Sequence, residues 1–196
     1  MARSALEVLG VRDGATRQID ESLARELTGL WMAQRVDQGT SPESAARAAA
    51  EGRLREALTR PDVRAWVARV DGAGVGYVIA SEDAFGLSPH PEVAIDQLFV
   101  DSRVRRQGVA HALLDAVLTH AERVGAEVIV GNVPAQSREA NRFFARLGFG
   151  SVIVRRATST AALRRRLRPG AKPERFEALR RRRVLGATAA LRQHSA

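Results

Sequence analysis

The sequence predicts a mixed α/β domain, and three observations predict it. Apolar residues switch between the two-residue period of strands and the 3.6-residue period of helices, in the order β α α β β β α β α β over residues 5–154. A tight-turn signal, Asp71-Gly72-Ala73, joins two of the strands. A strand–helix–strand unit spans Glu92–Val130, and a unit of that kind crosses over to bring its strands parallel. Hydrophobic residues make up 45% and charged residues 27% of the 196-residue chain, enough apolar matter for one packed core without covalent staples.

The elements follow in order. Ala5–Val11 is expected as a strand ending at Arg12-Asp13-Gly14. A helix over Thr16–Gln38 follows from Leu23, Leu27, Leu30, Trp31 and Met32 at helical spacing, with Gly39 as its stop. Ser41-Pro42-Glu43-Ser44 opens a second helix with a serine cap and proline at its first position, and the Ala-rich run carries it to Thr59. Val63–Val70 and Gly74–Ser81 form the hairpin, and Glu82–Pro91, holding Gly86, Pro89 and Pro91, reads as a loop. Glu92–Val100 is a strand, Gln107–Val124 an amphipathic helix capped by Gly125, and Ala126–Val130 a short buried strand. Ser137–Leu147 is a helix closed by Gly148, and Phe149–Val154 is the sixth strand. A seventh strand is placed at Thr158–Leu163 and a basic helix at Glu174–Arg192. The expected domain is 1–156, with an Arg-rich extension over 164–196.

Charge divides the chain as sharply as periodicity does. Residues 155–196 hold twelve Arg, Lys172 and two Glu, a net +11. The remaining 18 basic and 20 acidic residues leave 1–154 at −2. The basic pI therefore belongs to the tail, whose Arg164–Arg166 and Arg180–Arg183 clusters could meet a nucleic acid or an acidic partner, while the body has no electrostatic case for one. The chain has no cysteine, which removes disulfides, thiolate metal sites and a thiol nucleophile. Its four histidines show no metal spacing, and no metal is expected. No apolar run is long enough for a bilayer, and Met1–Gly10 has no signal-peptide core. A cytoplasmic protein, monomer or homodimer, is the expectation.

The segment with chemical content is Asp101-Ser102-Arg103-Val104-Arg105-Arg106-Gln107-Gly108-Val109-Ala110, between a strand and an amphipathic helix. A glycine at the helix start lets backbone amides approach an anion, the unpaired first-turn amides point outward, and two arginines add charge. The pattern suits a pyrophosphate. Neither the nucleotide-triphosphatase motif G-x-x-x-x-G-K-[ST] nor the dinucleotide motif G-x-G-x-x-G is present.

Arg105–Ala110, after a strand reading LFVD, resembles the R/Q-x-x-G-x-G/A signature of GCN5-related N-acetyltransferases (GNAT). About 28 residues on, Ser137–Phe149 is similar to that family's second signature, N-x-x-A-x-x-F-Y-x-x-x-G-F. The resemblance implies a mostly antiparallel central sheet of six to seven strands with about four flanking helices, its central strands splayed to admit acetyl-CoA. It implies that Leu98, Phe99 and Val100 bind the pantetheine arm through their backbone. Arg105, Arg106, Gln107, Gly108, Val109 and Ala110 would hold the pyrophosphate, and Ser137, Ala140 and Phe143 would flank the thiol end. With no cysteine in the chain a Cys-linked acyl-enzyme is excluded, and direct transfer of the acyl group to an amine acceptor in a ternary complex is the reading left. Two positions depart from the signature: Ser137 stands for Asn, with Asn141 one turn on, and Phe144 stands for the Tyr that often protonates the leaving thiolate.

Strict alternation puts Asp96 on one face with Ala94, Leu98 and Val100. The resemblance implies that an acidic residue in this strand takes the amine's proton or binds its ammonium, which makes Asp96 the candidate. The competing account of it is a rim salt bridge. Glu92 and Trp31 are candidates for acceptor contact. Three readings stay open: an active amine acetyltransferase, an acyl-CoA-binding module that catalyses poorly, as Phe144 would favour, and a nucleic-acid-associated protein acting through its tail.

Overall fold

In the computed structural model, the described residues are 5–12, 18–82, 91–151 and 157–167. The chain divides into two compact units, residues 1–150 and 151–196.

The first unit is built on a five-stranded sheet whose spatial order follows the chain: β1 (Leu6–Gly10), β2 (Val63–Val70), β3 (Ala73–Glu82), β4 (Glu92–Val100) and β5 (Val128–Gly131). The first three pairings are antiparallel, and β4 runs parallel to β5. The expected crossover unit is therefore present. The hairpin between β2 and β3 pairs Val70 with Ala73, so Asp71 and Gly72 alone make its turn, both with positive φ (52° and 81°).

Among the described residues, five α-helices belong to this unit: α1 (Glu21–Asp37), α2 (Pro42–Ala50), α3 (Arg53–Thr59), α4 (Val109–Arg123) and α5 (Arg138–Arg146). Two cores lie on opposite faces of the sheet. Leu23, Leu27 and Leu30 of α1 and Leu54 and Leu58 of α3 meet Val63, Ala65, Val67, Tyr77, Ile79 and Phe99 on one face. Val109, Leu113, Val117 and Ala121 of α4, with Phe144 of α5, meet Val78, Ala80, Val93 and Ile95 on the other. The odd and even positions of β2, and of β3 over Tyr77–Ala80, thus feed different cores, as the two-residue strand period requires.

Several expectations are corrected. The first helix begins at Glu21 rather than Thr16, because the Asp20 carboxylate caps it by accepting from the amides of Ser22 (2.8 Å) and Leu23 (3.0 Å). The Ala-rich helix is two helices, since Gly52 takes a left-handed conformation (φ +73°) between them. The stretch placed as a seventh strand folds as α6 (Thr160–Leu167), the described helix of the second unit: Ala161, Ala162 and the arginines have high helix propensity, and the Ser159 hydroxyl accepts from the amide of Ala162 (3.1 Å). Phe149, Gly150 and Ser151 are not in a strand, and the rest of the expected sixth strand lies outside the described residues, as do residues 83–90 and the basic helix 174–192. Among the described residues there are therefore five strands, not six or seven, and six α-helices, not four.

Candidate active site

The site begins with an irregularity in β4. Ile79 pairs with Gln97 and Ala80 with Ile95, so Asp96 is an extra residue bulged out of the ladder. The bulge shifts the alternation by one. Val93 and Ile95 pack on the α4 face together with Leu98 and Val100, while Phe99 packs on the α1 face. Asp96 therefore does not share a regular face with Ala94, Leu98 and Val100, as strict alternation had implied. It is exposed instead, which removes the desolvation cost of a carboxylate inside an apolar strand.

At the same place β4 parts from β5. Their pairing covers Glu92–Ile95 against Val128–Gly131, and the Asn132 amide donates to the Ile95 carbonyl (3.0 Å). Beyond that point β4 pairs only with β3 among the described residues. Asn132 also reaches across with its side chain, its Nδ2 donating to Asp96 Oδ1 (3.0 Å). Nothing in the sequence pattern had marked Asn132; its partnership depends on where two strands diverge.

After β4 a 3₁₀ turn, Ser102–Val104, leads to α4. The Asp101 carboxylate accepts from the Arg103 amide (2.9 Å) and pairs with its guanidinium (2.5 Å), which pulls the Asp101 carboxyl down to about 2. The Asp101 amide donates to Val75 (2.8 Å), tying the turn to β3. The loop that follows holds two left-handed residues, Arg106 (φ +64°) and Gly108 (φ +84°). A non-glycine residue at positive φ is uncommon and concentrates at functional sites. Gly108 is the α4 N-cap, and a Cβ built on it meets nothing within 4 Å, so the space before the helix is open. The first intrahelical bond runs from the Ala112 amide to the Gly108 carbonyl (3.0 Å), leaving the amides of Val109, Ala110 and His111 without helical partners. This is an anion-binding arrangement at the positive end of a 15-residue helix.

The loop opens into a cleft of about 1010 Å³. Its walls include Leu98, Phe99, Val100, Arg105, Arg106, Gly108, Val109, Ala110, Ser137, Ala140 and Phe143. Gln107 is exposed and outside the walls. Arg105 spans the cleft: its Nε donates to the Val100 carbonyl (3.2 Å), and its guanidinium meets Asp37 of α1 (3.2 Å) and Glu139 of α5 (3.3 Å). Asp37 and Glu139 went unmarked in the sequence because 68 and 34 residues separate them from Arg105.

Beneath the cleft, the buried Tyr77 hydroxyl lies between Gln34 Oε1 and Gln97 Oε1 (2.8 Å to the latter). A phenol has one proton, so one glutamine must turn its NH₂ toward the oxygen. Burial pushes the Tyr77 hydroxyl up from its ordinary value, and it stays neutral.

The remaining candidates lie apart. Trp31 packs against the α1-face core with the Arg35 guanidinium 5.0 Å from its ring centroid, and Glu92 sits where β4 is still paired, opposite Val128. Neither lines the cleft, and Asp96 and Asn132 lie outside its walls as well. Asn141 donates to the carbonyls of Ser137 (2.7 Å) and Pro134 (3.1 Å), fixing the loop before α5. Phe144 is buried, 5.0 Å from the Phe149 ring and 5.5 Å from Phe143, and its ring occupies the space beside Gly131. Among the described residues, no group of three or more His, Asp or Glu could hold a metal ion, and no helix is long and apolar enough to cross a membrane.

A mostly antiparallel sheet with one parallel edge strand, helices on both faces and a glycine-started helix after β4 make a mixed α/β fold with an anion-binding arrangement beside its parting strands. The match of residues 23–149 to the acetyltransferase (GNAT) family model makes the assignment: the chain belongs to that family. Solved structures share the fold at low identity. The aminoglycoside N-acetyltransferase AAC(6')-Iy in complex with CoA is 19% identical, covers 81% of this chain and 98% of its own, and superposes with a TM-score of 0.60. The ribosomal-protein-alanine N-acetyltransferase from Brucella melitensis biovar Abortus 2308 is 19% identical over 79% of this chain and 99% of its own (TM-score 0.61). A putative acetyl transferase from Pyrococcus furiosus is 16% identical over 79% and 99% (TM-score 0.63). No curated protein matches the chain by sequence.

Proposed function

We propose that the chain is an acetyl-CoA-dependent N-acetyltransferase that moves an acyl group to a primary amine by direct transfer in a ternary complex. The observation that carries this is the loop with left-handed Arg106 and Gly108, opening α4 into the cleft where β4 leaves β5. A structural neighbour of the same family was solved with CoA, which supports the choice of donor. The site fits the donor's chemistry: free amides and two arginines suit a pyrophosphate, and a strand with one unpaired edge suits the amides of a pantetheine arm.

In this reading acetyl-CoA supplies the thioester. The amides of Gln107, Gly108, Val109 and Ala110, in the loop with left-handed Arg106 and Gly108, and the side chains of Arg105 and Arg106 hold the pyrophosphate, with Arg105 exchanging Asp37 and Glu139 for phosphate oxygens. The backbone of Leu98, Phe99 and Val100 aligns the arm, and Ser137, Ala140 and Phe143 flank its thiol end. The amine nitrogen attacks the carbonyl carbon, a C–N bond forms, and the C–S bond breaks with its electron pair leaving on sulfur. Asp96 takes the proton released from nitrogen, with Asn132 holding the carboxylate in place. Water protonates the thiolate, since Phe144 carries no proton to give. The chain has no cysteine, so no Cys-linked acyl-enzyme intervenes.

Replacing Gly108 by Val tests the donor site. A β-branched residue is strained at φ +84° and projects into the open space before α4. Calorimetric titration is expected to show acetyl-CoA binding lost while the melting temperature stays within a few degrees. Undiminished affinity in that variant overturns the assignment.

Phe144 favours a second reading, acyl-CoA binding without appreciable turnover. Thioester consumption across an amine panel that includes an aminoglycoside and an alanine-terminated peptide separates the two. Binding without consumption on any amine supports the second.

A further inference from the structure

The proposed donor cleft has more positive charge than a pyrophosphate needs. Helix α5 carries Arg138, Arg142 and Arg146 at successive turns, and all three line the cleft. The orientation of α5 is set by its aromatic side: Phe143 packs against His111 of α4 (5.6 Å) and Phe144 against Phe149. With those rings anchored, the arginine side of the helix is left exposed beside Arg106 on the cleft wall. By helix geometry the row extends for roughly 12 Å.

Like charges spaced four residues apart repel, and a helix bears that repulsion more easily when a counter-charge is near. Among the described residues, Arg106, Arg138, Arg142 and Arg146 have no carboxylate within ion-pair distance, and Glu139 on the same helix is taken by Arg105. The uncompensated row therefore suits a ligand with an anionic group beyond the pyrophosphate. CoA has one such group, the phosphomonoester on its ribose 3′-oxygen, carrying about −1.5 to −2 at neutral pH, as phosphomonoesters do.

We propose that Arg142 and Arg146, the two of the row farther from Ser137, bind the ribose 3′-phosphate of CoA and make the protein selective for CoA over 3′-dephospho-CoA. The inference rests on the acetyl-CoA reading and deepens it. Arginine is suited to the task because its planar fork meets phosphate oxygens two at a time.

The test is calorimetric titration of the full chain, and of its R142Q and R146Q single and double variants, with CoA and with 3′-dephospho-CoA. The unaltered chain is expected to bind CoA about 10- to 100-fold more tightly, the range for charge-assisted phosphate contacts. In the double variant the two affinities should converge through weaker CoA binding, with the dephospho-CoA affinity within about twofold of the original. A melt of each variant checks the fold, which these exposed side chains are not expected to support. Equal affinities in the unaltered chain overturn the proposal, as does a double variant that weakens both ligands to the same degree, which would mark the row as a general field. If the unaltered chain binds neither ligand, the acetyl-CoA reading fails and this proposal falls with it. Dephospho-CoA binding that equals CoA binding sinks the 3′-phosphate site alone.

Discussion

A side chain has no room at position 76. An ideal Cβ there lies 2.7 Å from the Phe99 carbonyl oxygen, which is backbone and cannot rotate aside, and 3.3 Å from Val109. Gly76 pairs with Val100, so any relief must come from moving β4 where it borders the cleft. Gly76→Ala is expected to lower stability by about 1–3 kcal/mol, the usual cost of overpacking, and to weaken acetyl-CoA binding. A thermal melt and a titration check both, and an alanine variant unchanged in each would show that β4 moves freely. At Asp96 the expected effect is kinetic. Asparagine keeps an oxygen for Asn132 to donate to but cannot take a proton. Asp96→Asn should lower turnover roughly 10²–10⁴-fold and leave the acetyl-CoA Kd unchanged. A variant at full speed returns Asp96 to a structural part at the strand divergence.

At the scale of elements, the ends of β3 and α4 are joined by a buried polar cluster remote from the cleft. His120 is almost fully buried, its ring 5.6 Å from Trp66. Its Nδ1 accepts from Arg123 (2.7 Å) and its Nε2 donates to Glu82 (3.0 Å), which also pairs with Arg64 (3.2 Å). That pattern requires the neutral ring with its proton on Nε2. Burial lowers the His120 pKa from its ordinary 6.5, with Arg123 and Arg64 adding to the effect and Glu82 opposing it. A lowered folded pKa means that the neutral ring's contribution is complete above the unfolded value and is lost as pH falls through the folded one. The melting temperature should therefore fall between about pH 7 and pH 5 more steeply in the unaltered chain than in His120→Gln, which does not titrate. Parallel melting profiles for the two would remove His120 from the acid response.

At the scale of the molecule, charge and chemistry occupy different lengths of chain. The family match ends at residue 149, and the +11 segment begins at Arg155. We propose that a chain ended after Leu167 folds and binds acetyl-CoA, and that it loses much of any affinity the full chain has for nucleic acid. That affinity would rest on Arg–phosphate contacts and so fall steeply with salt. Melts with and without acetyl-CoA, and salt-titrated nucleic-acid binding on both forms, decide it. Loss of folding would make the removed residues part of the body, and equal nucleic-acid binding would mean that the arginines beyond Leu167 are not its source.

The sequence by itself determined most of the element order as far as α5, the hairpin at Asp71-Gly72, the parallel crossover and the glycine-started helix. Each of these rests on local periodicity or on backbone freedom that a few adjacent residues decide. The helix at Thr160–Leu167 was legible only in part: its arginines and alanines favour a helix, yet Thr158-Ser159-Thr160 favours a strand, and propensity alone did not arbitrate. The tertiary structure alone decided the bulge at Asp96, which turns that residue out of the ladder and reverses the face of every residue after it. It alone brought Asn132 to Asp96, Asp37 and Glu139 to Arg105, and Gln34 to Tyr77. These are pairings across 34 to 68 residues of chain. They follow from how two sheet faces are covered and where two strands part, and no local pattern encodes the distance between side chains that only the closed fold makes neighbours.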